Sequence, residues 1–293
     1  MPAIDRYTFL KEISLLAGAS LLSAPGLTAM PTATKSAIKL GFVTYLWGKD
    51  WDLPTLIKNC RDTDIPGVEL RVEHAHKVMP DLTAAQRLDV KKRFSDSPVQ
   101  LIGLGTNQQF DYVDQSQLRA SIERAKEFIR LSADVGGSGV KVKPNGLHKE
   151  VPVEKTLAQI GESLNELATY GATLGQQIRL EVHGEATQEL PAIKQIMDVA
   201  THPNATICWN CNPQDLNGNG FQANFNLVSN RLGATCHVRE LDRTDYPYQE
   251  LLTNLTKINY KGWVLLECHT DPADKVASMK AQRAVFDRMI AKA

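Results

Sequence analysis

Residues 177–210 read QIRLEVHGEATQELPAIKQIMDVATHPNATICWN, and the periodicity of this stretch decides the fold. Two short apolar runs, Gln177–His183 and Thr206–Asn210, flank Leu190–Ala200, whose apolar residues recur at helical spacing. A strand, a helix and a second strand of these lengths form one repeatable unit. Working outward, further strands are expected at Lys39–Tyr45, Gly67–Arg71, Gln100–Gly105, Gly139–Lys143, Ala234–Arg239 and Trp263–Cys268. Helices are expected at Leu53–Thr63, Ala84–Ser95, Gln117–Asp134, Glu154–Thr173, Phe225–Arg231, Tyr248–Ile258 and Ala273–Ile290. Glycines such as Gly67, Gly139, Gly175, Gly233 and Gly262 sit just ahead of strands, where the chain leaves a helix and turns. Every strand is followed by a helix, so the fold class is α/β, a single (β/α)8 TIM barrel over residues 37–293.

Residues 1–36 differ in character and read as a leader segment. Arg6 and Lys11 precede the apolar run Ile13–Leu22, and Leu27-Thr28-Ala29 suits a signal peptidase. The run is too short for a permanent membrane span. Tyr7 stands where a twin-arginine signal needs its second arginine. Export to the periplasm or another extracytoplasmic space is therefore expected; the alternative is a cytoplasmic protein with a frayed N-terminal helix. Lys plus Arg and Asp plus Glu both number 33, which leaves no basic excess to draw a nucleic acid. Cys208 and Cys211 have a CxxC spacing, but an offset of three along a strand places them on opposite faces, so buried thiols are expected.

Reactive groups of a (β/α)8 barrel gather at the C-terminal ends of its strands. Glu181, Asn210, His237 and Glu267 end the fifth to eighth strands, at intervals of 210−181=29, 237−210=27 and 267−237=30 residues. Four oxygen or nitrogen donors thus arrive at one height. Two carboxylates brought together repel, and a divalent cation resolves the conflict. One imidazole among oxygen donors suits Mn²⁺, Co²⁺, Mg²⁺ or Zn²⁺. By parity His183 faces inward with Glu181, Arg239 with His237, and Lys143 with Lys141. Lys143, nearer the mouth, is expected to meet substrate. Glu69 is expected either to contact substrate or to pair with Arg71, and His74 and His76 to form a rim above the metal or to be solvated loop residues.

The ordered motifs LEVHG (180–184), CWNCNPQD (208–215), CHVREL (236–241) and LLECH (265–269), with GVELRVEHAH (67–76), resemble the sugar isomerase/epimerase superfamily of xylose isomerase-like TIM barrels. The resemblance implies a metal held by Glu181, Asn210, His237 and Glu267. It departs at Asn210, where most relatives carry aspartate, so the formal ligand charge becomes −2 instead of −3. It further implies that Glu181 and Glu267 act as an acid/base pair on a carbon beside a sugar carbonyl, with His183, Lys143 and Arg239 orienting hydroxyls or stabilising charge. The partner is then a small-molecule sugar or glycoside, not nucleic acid, and a homo-oligomer is compatible with the sequence. Two alternatives use the same residues: a metal-dependent lyase that cleaves 3-keto-glycosides by β-elimination, and a catalytically silent sugar-binding barrel with Asn210 as the disabling change.

Overall fold

The structure, a computed structural model, describes residues 37–293, so the leader reading of residues 1–36 lies outside the described residues. Strands and helices alternate as β1 (Lys39–Val43), α1 (Leu53–Asp62), β2 (Gly67–Arg71), α2 (Ala84–Ser95), β3 (Gln100–Gln109), α3 (Gln115–Asp134), β4 (Gly139–Lys143) and α4 (Val153–Ala172). They continue as β5 (Gln177–Glu181), α5 (Leu190–Val199), β6 (Ala205–Asn210), α6 (Phe221–Val228), β7 (Leu232–Val238), α7 (Tyr248–Lys257), β8 (Trp263–Leu266) and α8 (Lys275–Ile290). The strands pair in parallel in chain order, and β1 pairs with β8 to close the barrel. Among the described residues no helix is long and apolar enough to cross a membrane.

Local chemistry fixes where the helices begin. Asp52, Thr83, Asp114 and Asp274 each accept a hydrogen bond from a backbone N–H of the following turn. These contacts satisfy donors that the helix itself leaves open. The helix-facing strand residues, among them Phe42, Leu70, Val140 and Leu180, merge with the apolar helix faces in one large core.

The inward strand residues divide the lumen in two. On one side Val43, Ile102, Trp263 and Leu265 form a small apolar cluster. Trp263 fits because Gly67 has no side chain: a Cβ there would lie 2.3 Å from the indole ring. Elsewhere the lumen is charged, with Glu69, Lys141, Arg179, Glu181 and His237 all buried. Arg179 donates to the Ser138 hydroxyl at 2.7 Å and to the Ile102 carbonyl at 3.3 Å. Such charges persist in a core only when partnered.

Two elements depart from their expected bounds by more than two residues. β3 runs on to Gln109, because after an irregularity its end rejoins β4 at Gln109 opposite Lys143. α6 starts at Phe221 rather than Phe225: Gly220, with φ +84°, turns the chain into the helix, and Phe221 and Phe225 pack on Trp209 at 5.8 and 5.6 Å. That aromatic contact outweighs the local pattern.

A candidate metal centre at the barrel mouth

Glu181 ends β5, His237 lies in β7, and Glu267 follows β8, anchored by its backbone N–H to the Val238 carbonyl at 2.7 Å. The three are buried, and one donor atom from each lies within 4.8 Å of the others. His237 Nδ1 stands 3.5 Å from Glu181 Oε1 and 3.6 Å from Glu267 Oε2. It makes no hydrogen bond, although it is fully buried. Its other nitrogen, Nε2, lies 3.1 Å from Glu69 Oε1. A carboxylate on one imidazole nitrogen, with the second nitrogen left open between two carboxylates, is the arrangement of a metal-binding histidine fixed by an outer partner. Asn210 pairs with His237 across the β6–β7 ladder, and its carboxamide makes no hydrogen bond to another described residue. The residues present fit a divalent ion.

Crowded carboxylates are not by themselves the reason for one. Lys141, fully buried on β4, donates to Glu181 Oε2 at 2.7 Å, so the site carries a cation of its own. Burial opposes the charged form of Glu181, but the Lys141 ammonium and His237 outweigh it and hold the carboxyl well below its usual range. Burial likewise opposes charge on His237, and the surrounding Cys208, Glu69 and Glu267 outweigh it and raise its pKa well above the ordinary value. An ion on Nδ1 displaces the proton of His237 and leaves the ring neutral; Glu69, Glu181 and Glu267 against Lys141 then give −3+1=−2. A divalent ion closes that balance, and an aspartate at position 210 would exceed it. What argues for metal is therefore the open Nδ1 and the donor geometry, rather than repulsion alone.

The other side of the mouth belongs to β2–β4. Arg71 Nη2 donates to Asn107 Oδ1 at 3.1 Å and the guanidinium lies over Tyr45, 5.3 Å from the ring centre. Lys143 Nζ reaches the same oxygen at 3.4 Å. Burial, with Lys141 nearby, pushes Lys143 down to about 8. His183 gives Nδ1–H to Asn145 Oδ1 at 3.2 Å, and burial lowers its pKa, so it is neutral with Nε2 as an acceptor. Arg239 is partly buried, with Nε unpaired. His74, half-buried, has Nδ1 3.4 Å from the Thr44 hydroxyl and its ring edge-on to His76 at 6.2 Å.

The family model for xylose isomerase-like TIM barrels matches residues 57–289. The chain belongs to this family. No curated protein sequence matches it significantly. Among solved structures, the xylose isomerase-like barrel superposes on L-ribulose 3-epimerase with a TM-score of 0.72 and 15% identity, covering 87% of this chain and 95% of that one. An IOLI protein with a binding zinc atom gives 0.72 at 14% identity, covering 87% and 99%. The 3-keto-D-glucoside 4-epimerase YcjR from E. coli, in its apo form, gives 0.71 at 12% identity, covering 86% and 99%. At these identities the likeness is one of fold.

Two residues of this xylose isomerase-like barrel have roles other than those expected. Glu69 makes no ion pair with Arg71; it is fully buried with Oε1 against His237 Nε2. His76 is no rim residue: Nδ1 accepts from the Val78 N–H at 3.0 Å and Nε2 donates to the Arg71 carbonyl at 2.8 Å, which clamps the loop after β2. Burial pushes its pKa from 6.5 to about 4. The unfolded chain takes up that proton first, so the contribution is complete above about pH 6.5 and is lost as pH falls towards about 4. Wild type should thus lose about 3 kcal/mol more than His76→Gln over that window in acid-dependent unfolding, and parallel profiles would contradict the clamp. The cysteines are buried free thiols as expected, and Cys211 Sγ donates to the His237 carbonyl. Lys141, Asn107 and Asn145 were not singled out as site residues. For Lys141 the signal was its parity with Lys143.

Proposed function

We propose that the protein is a divalent-metal-dependent enzyme that removes a proton from the carbon beside a sugar carbonyl, as an isomerase or epimerase does. The open, buried Nδ1 of His237, aimed between Glu181 and Glu267 and backed by Glu69, carries this reading. Glu181, His237, Glu267 and the Asn210 carbonyl would hold the ion. When bound, it stabilises the negative charge that grows on the carbonyl oxygen as the neighbouring C–H bond breaks.

The side chains around it differ in their freedom. Glu181 is tied to Lys141 through Oε2 and turned to His237 through Oε1, so it is a poor proton acceptor. Glu267 makes no hydrogen bond to a described residue through its carboxylate and keeps access to the mouth, with its side chain 8% exposed. It is the proton acceptor. His183, with Nε2 free as a base, orients a substrate hydroxyl or carries a proton to a departing one. The last role would also serve β-elimination from a 3-keto-glycoside, whose first step is the same; the fold likeness to a 3-keto-D-glucoside 4-epimerase makes such substrates worth including.

Incubation with ketoses and 3-keto-glycosides in deuterated water with Mn²⁺ tests this. Manganese-dependent deuterium uptake beside the carbonyl is expected, and aglycone release with it would identify the lyase. Uptake by neither class with any of the four metals overturns the proposal and leaves a silent sugar binder.

A further inference from the structure

From the convergence of Arg71 and Lys143 on the single neutral oxygen Asn107 Oδ1, we infer that the β2–β4 side of the mouth is a subsite for an anionic group, a carboxylate or phosphate, carried by the substrate. The inference deepens the reading of the mouth as a sugar site and rests on it. Arg71 ends β2, Asn107 lies near the end of β3 and Lys143 ends β4, so three neighbouring strands deliver the group at one level. Neither cation has an ion-pair partner among the described residues, although Lys141 and Glu181 just below are paired at 2.7 Å. The carboxylate hydrogen-bonded to this group, Glu73, accepts from the Asn107 Nδ2 at 3.3 Å rather than from either cation, and Glu181 and Glu267 act on Lys143 through space without a hydrogen bond to it.

Two positive groups drawn to one carboxamide oxygen repel each other, and that oxygen returns only weak, neutral hydrogen bonds. A sugar hydroxyl would do no better. The oxygens of a carboxylate or phosphate can accept from both cations at once and neutralise them, and the guanidinium fork lying over Tyr45 is already oriented for it. The residues that would hold the metal lie at the ends of β5–β8. A substrate lying across the mouth would thus present its carbonyl to that side and its charged end to Arg71 and Lys143.

Calorimetric titration of the full chain with D-glucuronate, D-glucose 6-phosphate and D-glucose reads this without turnover. At least one anionic probe should bind ten or more times as tightly as glucose, on the order of one tenfold step or more in affinity. Arg71→Gln and Lys143→Met should each remove most of that preference, and raised salt should weaken it. Preference for glucuronate alone assigns a carboxylate site, and preference for the phosphate alone a phosphate site. Equal binding of all three, no binding of either anion at about 10 mM, or a preference that survives both substitutions overturns the inference. Because binding and deuterium uptake are read separately, a failed exchange assay leaves this result standing, and a neutral preference leaves the exchange result standing.

Discussion

Replacing Glu267 by glutamine should lower metal-dependent deuterium uptake by about three orders of magnitude or more, with the fold retained. The change is isosteric. The backbone N–H of residue 267 still reaches the Val238 carbonyl, and no hydrogen bond from the carboxylate supports another element. What is lost is chemical: a charged donor 3.6 Å from His237 Nδ1, and the one carboxylate of the pair that is both free of a lysine partner and slightly exposed at the mouth. An unchanged melting curve beside a collapsed exchange rate is the expected pair of measurements. Full exchange activity in Glu267→Gln would move the proton acceptor elsewhere.

The second large effect is on stability. Lys141→Met leaves Glu181 buried without its ammonium partner, and breaking such a pair from one side costs about 3–5 kcal/mol. Urea unfolding should show this loss. Lys141→Met/Glu181→Gln should recover much of it, because the second substitution removes the stranded charge. Saturating Mn²⁺ should also restore part of the stability of Lys141→Met, since an ion beside Glu181 Oε1 supplies positive charge to the same carboxylate. If Lys141→Met unfolds with wild-type stability in the absence of metal, the ammonium is not the resident counter-charge.

These two residues also mark how far the sequence could be read. The fall of Glu181, Asn210, His237 and Glu267 at intervals of about one strand–helix unit was legible, because strand parity and the strand–helix repeat fix both the face and the end of the barrel. Parity does not fix depth or reach. Lys141 and Lys143 share a face, yet the lower of them meets Glu181, because its stem extends upward inside a barrel narrow enough for the ammonium to touch β5. Nor does parity say which residue lies across the lumen. Glu69 and His237 are 168 positions apart and meet only because the barrel closes. Gly105 helps to admit that contact, since a Cβ there would stand 2.9 Å from Glu69 Oε1. His76 was misread for a different reason: its nitrogens are consumed by backbone groups of its own loop, a local fold that hydrophobic periodicity does not encode.

The role of Asn210 follows from the same charge count. With Lys141 already inside the site, a fourth ligand that brings an oxygen but no charge leaves a divalent ion balanced. An anomalous difference map from crystals soaked in manganese tests that account most directly. It predicts one peak bounded by Glu181 Oε1, His237 Nδ1 and Glu267 Oε2, with the Asn210 carbonyl turned towards it and Lys141 still on Glu181 Oε2. Crystals fully exchanged with manganese that give no peak among these atoms, with His237 Nδ1 bonded instead to a carboxylate, would contradict it.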